Sequence, residues 1–279
     1  MPKTRLDLLL VERGLAESRS KAQALIMAGQ VRVNGQMVDR SASNVSNDAD
    51  ITVDKGPRFV SRGGEKLEAA LISFPVRVDG SICADVGAST GGFTDCLLQH
   101  EAAKVYAIDV GKGILHWKIR SDPRVVVMEE TNARHVESLP EAVSLVVIDA
   151  SFISLKILLP VVKGWLVPMA TPGLSPDLHG KWMDETAGGS IIALIKPQFE
   201  AGRKETAKNK GVIRDPGVHR AVLTEILSFA RSLGFAVRGL RRSPVLGPKG
   251  NVEFLAWLGL GWEEPGELST LVASVLQAE

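Results

Sequence analysis

Seven short apolar runs recur along the larger part of the chain, at residues 82–86, 105–110, 125–128, 145–148, 191–195, 235–240 and 252–258, with helical segments between them. Runs of this length bounded by turn residues read as buried strands, and their alternation with helices predicts a parallel sheet with helices on both faces. The last two runs are joined only by residues 241–250, RRSPVLGPKG, too short for a crossover helix, so they are expected to pair antiparallel. The predicted class is therefore α/β, a seven-stranded sheet, mostly parallel, with an antiparallel last strand.

The first 55 residues read differently. Residues 5–14 form a short helix closed by Gly14, and Ser18-Arg19-Ser20-Lys21 opens a second helix that reaches Gly29. Val31-Arg32-Val33 alternates, Asn34-Gly35 is a two-residue turn signal, and Ile51-Thr52-Val53 is a further strand candidate; residues 41–50, SASNVSNDAD, read as a polar loop. Residues 1–40 hold seven Lys or Arg against four Asp or Glu, which suggests a basic face on a small α+β unit. The predicted division is a first domain over 1–55, a linker at 56–59 and a second domain over 60–279. Within the latter, residues 167–189 carry three prolines and no periodicity, and are expected to form a mobile surface insertion.

Composition removes several alternatives. The net charge of +1 gives no global pull toward a polyanion, so any basic face is local. The two cysteines, Cys83 and Cys96, form no CxxC pair, which argues against a disulfide scaffold and a cysteine zinc site; the five histidines show no HExxH spacing, so no metal is expected. The most apolar stretch, 145–170, is broken by Asp149, Lys156 and Lys163, and the first residues, MPKTRLD, hold no apolar signal stretch. A non-membrane protein of the reducing cytoplasm is the expectation.

After the first buried run comes Asp85-Val86-Gly87-Ala88-Ser89-Thr90-Gly91-Gly92-Phe93-Thr94, the position where open parallel sheets bind nucleotides. Three chemistries compete for it. A dinucleotide fingerprint needs glycine where Ser89 stands, which disfavours NAD. GASTG also fits the G-x-S-x-G nucleophile elbow of serine hydrolases, with Asp149 and His219 following in the required order, although an elbow serine normally follows several strands. S-adenosylmethionine needs a close backbone turn and carboxylates but no phosphate cradle. Asp109 lies 22 residues after Gly87, near the spacing expected of an acid that accepts from ribose hydroxyls. On this reading the cofactor-binding candidates are Asp85 near the cationic methionyl end, the turn Gly87, Ala88, Ser89, Thr90, Gly91 and Gly92, then Asp109, Asn132 facing the adenine, and Asp149.

Methyl transfer to a ribose hydroxyl needs a base, and a lysine serves when burial or a second cation favours its neutral form. Lys196 and Asp149 each end an apolar run, at the sheet edge where sites form; Glu253 sits in the last run, and Lys66 opens the helix before the first. Each has a plain structural alternative: an exposed helix lysine, a strand-end charge, a turn cap.

Three resemblances bring these residues together. The pattern RLDxxLxxRGLAxSRxKAxxLIxAGxVxVNG resembles the small RNA-binding module named for ribosomal protein S-four, which implies RNA contact by Arg5, Arg19, Lys21 and Arg32. The order Lys66, Asp149, Lys196, Glu253 resembles the catalytic tetrad of FtsJ-like ribose 2′-O-methyltransferases, which have a Rossmann-like sheet. The strings VSRGGEKL, DVGASTGGFTDCLLQ, DVGKGIL, VVIDASFISL and IKPQFEAGR resemble the TlyA family, also labelled hemolysin A. Residues 167–189 look like an insertion relative to that family's pattern. The resemblance implies 2′-O-methylation of cytidine in ribosomal RNA with S-adenosylmethionine, and ribosomal subunits as partners. Basic patches at Arg203, Lys204, Lys208, Lys210 and Arg214, and at Arg238, Arg241, Arg242 and Lys249, flank the proposed catalytic residues as phosphate contacts would. The rival is a non-catalytic RNA-binding assembly factor. A lytic activity finds no spanning segment and no long amphipathic cationic helix to support it.

Overall fold

Residues 2–54, 56–167, 188–202, 205 and 211–277 are described in the computed structural model. The chain divides into two units, Met1–Arg58 and Phe59–Glu279.

In the first unit, β1 (Lys3–Arg5) leads into α1 (Leu6–Glu12), and α2 (Arg19–Met27) begins where the Ser18 side chain accepts from the Lys21 amide at 3.3 Å. The Asn34-Gly35 turn, both residues at positive φ, joins β2 (Val31–Val33) to β3 (Gln36–Met37). Two further strands follow, β4 (Asn44–Ser46) and β5 (Ile51–Val53). β5 pairs antiparallel with β2, and β4 with β1. The segment 41–50 is therefore not wholly a loop: Asn44-Val45-Ser46 has no apolar alternation to announce a strand, and its partner lies some forty residues away. Leu6, Leu9, Leu10, Ala22, Ile26, Val31 and Ile51 form the core. Among them Asp7 is fully buried, accepting from Arg5 at 2.9 Å, Arg19 at 3.1 Å and the Gln23 amide at 3.0 Å. The Arg5 hydrogen bond, with those from Gln23 and Arg19, holds this carboxyl well below the usual carboxylate range.

In the second unit, α3 (Gly63–Ser73) precedes β6 (Ile82–Val86), α4 (Gly92–Gln99), β7 (Lys104–Ile108), α5 (Trp117–Arg120), β8 (Val125–Met128), β9 (Leu145–Ile148), α6 (Leu155–Lys163), β10 (Ser190–Ile195), α7 (Pro197–Glu200), α8 (Pro216–Ser232), β11 (Phe235–Arg242), β12 (Phe254–Leu260) and α9 (Leu268–Gln277). The sheet order is β11-β12-β10-β9-β6-β7-β8. The pairs β10–β9, β9–β6, β6–β7 and β7–β8 are parallel, and β12 runs antiparallel between β10 and β11. The expected class holds. The last strand starts two residues later than its apolar run suggests, so Glu253 stands just before β12. Core side chains fill both faces: Leu158, Leu223 and Val272 bring α6, α8 and α9 onto one, and Leu67 and Leu97 bring α3 and α4 onto the other. Residues 168–187, most of the expected insertion, lie outside the described residues. Their flanks meet, with the Gly189 amide donating to the Val167 carbonyl at 3.0 Å.

Candidate active site

The parallel strands deliver their C-terminal ends to one edge. There β6 gives way to Gly87, whose φ of +84° and amide bond to the Ile108 carbonyl at 2.9 Å turn the chain sharply. A Cβ at this position would stand 2.8 Å from the Asp149 carbonyl oxygen, so only glycine lets the two strand ends approach this closely. Gly92 is equally constrained, since a Cβ there would meet Ser61 Oγ at 2.2 Å and the Gly64 amide nitrogen at 2.9 Å. Asp109, just past β7, accepts from the Ser89 amide at 2.8 Å and the Gly111 amide at 2.7 Å, and so fastens its own loop to the turn.

Two cavities flank this turn. One, about 590 Å³, is lined by Gly87, Ser89, Asp109 and Asn132 and by apolar side chains including Ile114 and Leu158. The other, about 550 Å³, contains Lys66, Asp149, Lys196 and Glu253, together with Ala88, Thr90 and Gly92 of the turn. Gly87, Ser89, Asp149, Ser151 and Phe152 line both.

The four chemistry-bearing residues stand as two ion pairs. Lys196 Nζ lies 2.6 Å from Asp149 Oδ1 and donates to Ser151 Oγ at 2.9 Å; Lys66 Nζ donates to Glu253 Oε2 at 2.6 Å. Lys66, Lys196 and Glu253 are all buried, Glu253 completely, which rejects the reading of exposed helix and strand charges. Gln198 fixes the other carboxylate oxygen of Glu253 from 3.1 Å, and a Cβ on Gly247 would collide with it at 2.1 Å. Ser151 and Gln198 did not stand out in the sequence, yet each lies two residues beyond a tetrad member, at the same strand end.

The remaining candidates fall into place unequally. Asn132 Oδ1 accepts from the Arg134 amide at 3.2 Å while its side chain borders the first cavity. Asp85 lines neither cavity. It is fully buried, its Oδ2 accepts from Thr94 Oγ1 at 2.6 Å, and its Oδ1 has no hydrogen-bond partner among the described residues. Burial, reinforced by the charges of Asp149 and Asp109, pushes this carboxyl up to about 7. His219, the third member of the hydrolase alternative, is buried on α8 with Nε2 3.1 Å from the Ile213 carbonyl oxygen and lines neither cavity. A serine–histidine–aspartate arrangement is not assembled.

Of the basic residues, Lys21 and Arg32 are exposed, whereas Arg5 and Arg19 are engaged by Asp7. Arg238 and Arg241 are held by the fold rather than offered to a phosphate. The Arg238 guanidinium sits 5.0 Å from the Trp262 ring centre and 5.4 Å from that of Trp257, and Arg241 donates to the Ala69 carbonyl. Arg214, Arg242 and Lys249 are exposed; Arg203, Lys204, Lys208 and Lys210 lie outside the described residues.

The residues fit S-adenosylmethionine: an apolar slot with Asp109 and Asn132 on its rim suits an adenosine, and the turn at Gly87 and Ser89 lines it with backbone. Comparison with known proteins agrees. The FtsJ-like methyltransferase model matches residues 59–260, and the S4 domain model matches residues 4–51. The chain is 48% identical to YqxC of Bacillus subtilis, covering 95% of this chain and 87% of that one. It is 42% identical to the 16S/23S rRNA (cytidine-2′-O)-methyltransferase TlyA of Mycobacterium tuberculosis, over 92% of this chain and 90% of that one. A solved Streptococcus thermophilus protein that carries the hemolysin name superposes with a TM-score of 0.68 at 39% identity, covering 99% and 97% of the two chains. A Listeria monocytogenes chain named for S-adenosylmethionine-dependent methyl transfer, at 16% identity and a TM-score of 0.50, shares the fold. The chain belongs to the FtsJ-like methyltransferase family, with an S4 domain at its N-terminal end and S-adenosylmethionine as its cofactor.

Proposed function

We propose that this chain methylates the 2′-hydroxyl of cytidine in ribosomal RNA, acting on ribosomal subunits in the cytoplasm. The observation that carries the reading is the meeting of Lys66, Asp149, Lys196 and Glu253 as two ion pairs, one buried and one partly buried, in a cavity that shares Gly87, Ser89 and Asp149 with the cofactor slot. The nucleotide and the RNA class are supported by the TlyA relative, whose name specifies cytidine 2′-O-methylation of 16S and 23S rRNA. Among the described residues no helix is long and apolar enough to cross a membrane.

When bound, S-adenosylmethionine supplies an electrophilic methyl on a sulfonium. Asp109 would hold the ribose of the cofactor, Asn132 would border its adenine, and the turn 87–92 would provide the backbone against which it lies. The obstacle on the acceptor side is a poorly acidic alcohol. Once the Lys196 ammonium has given one proton to solvent, its amine, aimed by Asp149 Oδ1 and Ser151 Oγ, takes the proton of the ribose 2′-hydroxyl. Glu253, fixed by Gln198, keeps the Lys66 ammonium at the wall of the same cavity, where it orients the acceptor nucleotide. Arg5, Arg19, Lys21 and Arg32 of the S4 unit dock the RNA.

The deciding experiment maps 2′-O-methyl positions in ribosomal RNA from cells with and without the gene, then repeats the mapping with a Lys196→Met chain. Loss of a cytidine methylation in both deletion and variant is the expected result. Unchanged methylation with defective subunit assembly would favour the non-catalytic assembly factor instead.

A further inference from the structure

At the C-terminal end of α4, beside α3, three side chains of different donor type converge. Cys96 and His100 are four residues apart at the C-terminal end of α4 and so occupy one face, one turn apart, while Glu68 reaches them from α3. His100 Nε2 lies 2.6 Å from Glu68 Oε2, Cys96 Sγ lies 3.7 Å from the same oxygen, and the three donor atoms all fall within 4.8 Å of one another. None of the three lines the cofactor slot or the tetrad cavity.

We propose that Glu68, Cys96 and His100 bind a zinc ion, with water in the fourth position. Zinc bonds of about 2.3 Å to sulfur and about 2.0–2.2 Å to nitrogen and oxygen place tetrahedral ligands roughly 3.4–3.6 Å apart. The sulfur–carboxylate spacing, 3.7 Å, is within about 0.1 Å of this. The imidazole and the carboxylate need to separate by about 0.8 Å, which rotation of the Glu68 side chain supplies. A thiolate, an imidazole and a carboxylate together suit zinc or cobalt and are a poor set for magnesium or calcium, which take oxygen ligands. Access is provided on one side. Cys96 is buried, but the His100 and Glu68 side chains keep 34% and 14% of their surface exposed, so an ion enters past the imidazole. As the sulfur–metal bond forms, the Cys96 sulfhydryl gives its proton to solvent, and at least one proton is released per ion bound. The ion ties α3, which carries Lys66, to α4, which begins at the glycine turn. Local spacing in the sequence hides this set because its donors come from two helices.

The test uses the full chain stripped with a chelator and titrated with cobalt(II), then with zinc. One cobalt per chain is expected, with thiolate-to-cobalt charge-transfer absorption that zinc abolishes. Cys96→Ser removes the absorption and His100→Ala weakens cobalt affinity at least tenfold. Because Cys96 is buried and its replacement risks the fold, the His100→Ala chain carries the decision, with circular dichroism to verify its structure. Zinc also raises the melting temperature of the unaltered chain and not that of His100→Ala. An unaltered chain with no charge-transfer band, or a His100→Ala chain with the same band and affinity, overturns the proposal.

Discussion

Asp149 grips Lys196 twice: its carboxylate Oδ1 stands 2.6 Å from the lysine Nζ, and its backbone carbonyl accepts from the same nitrogen at 3.3 Å. The same carbonyl oxygen is the atom that a Cβ on residue 87 would strike. The aim of the base and the tightness of the cofactor turn are therefore set by one backbone unit at the end of β9.

If Lys196 takes the proton, Lys196→Met should lower methyl transfer by about 10²–10⁴-fold while cofactor and RNA affinities stay near normal. Lys196→Arg should fail as well, because a guanidinium keeps its charge and does not give up a proton at ordinary pH. Single-turnover methyl transfer at saturating RNA measures both. A near-normal rate in the arginine variant would reassign the position to simple charge.

Gly87→Ala should damage both halves of the site at once. A left-handed conformation costs an L residue about 1–2 kcal/mol, and the new methyl meets backbone atoms, the Asp149 carbonyl oxygen and Ala150 Cα at 3.1 Å, which cannot rotate away. Calorimetry should find cofactor affinity reduced at least tenfold, and the turnover of the variant should fall beyond what added cofactor restores. Intact affinity would place the cofactor elsewhere.

Glu253→Gln keeps the shape of the side chain and removes its charge, leaving the Lys66 ammonium in a site that is 9% exposed. Breaking a buried pair in this way costs about 3–5 kcal/mol. Urea denaturation should show that loss in the midpoint of the second unit, and methyl transfer should fall with it. A stability change below about 1 kcal/mol would mean that water already compensates Lys66.

Much of this site was legible in the residues because Asp149, Lys196 and Glu253 each interrupt or end an apolar run, while Lys66 opens the helix ahead of the first. A lysine after Ile191-Ile192-Ala193-Leu194-Ile195 and an aspartate after Leu145-Val146-Val147-Ile148 are placed at a strand end by hydrophobicity alone. What the residues did not reveal depends on partners distant in the chain. β1 and β4 stabilise each other although neither is apolar enough to declare itself, and Arg238 and Arg241 look like phosphate ligands until Trp257, Trp262 and the end of α3 are brought beside them. Asp85 illustrates the same limit: its position near the end of a buried strand suggested cofactor contact, but the fold closes over it completely.

Asp85 gives a pH prediction. Its carboxyl ordinarily titrates at 3.8 and is pushed up to about 7 in the folded chain, chiefly by burial. The folded state thus favours the protonated acid. That contribution is fully present below the unfolded value and is lost as pH rises through about 7. Asp85→Asn keeps an acceptor for Thr94 Oγ1 and cannot ionise, so its stability relative to the unaltered chain should improve between pH 5 and pH 8 in denaturant melts. A difference independent of pH would show that Asp85 stays ionised in the fold.

RNA docking by the S4 unit is best tested at Lys21 and Arg32, because the other two candidates have a structural duty. Removing Arg5 or Arg19 uncovers the fully buried Asp7 carboxylate, so weaker RNA binding there would report a loosened fold as readily as a lost phosphate contact. Lys21 and Arg32 are exposed, and the bond from Arg32 to the Gly35 carbonyl, at 3.5 Å, is too long to matter to the hairpin. The Lys21→Ala, Arg32→Ala double variant should therefore melt like the unaltered chain and bind S-adenosylmethionine equally well. Each phosphate contact adds roughly 0.7–0.9 to the slope of log affinity against log salt, so losing two should reduce that slope by about 1.5. The measurement is ribosomal RNA affinity at several salt concentrations. An unchanged slope with unchanged affinity would move the RNA surface off this face of the S4 unit.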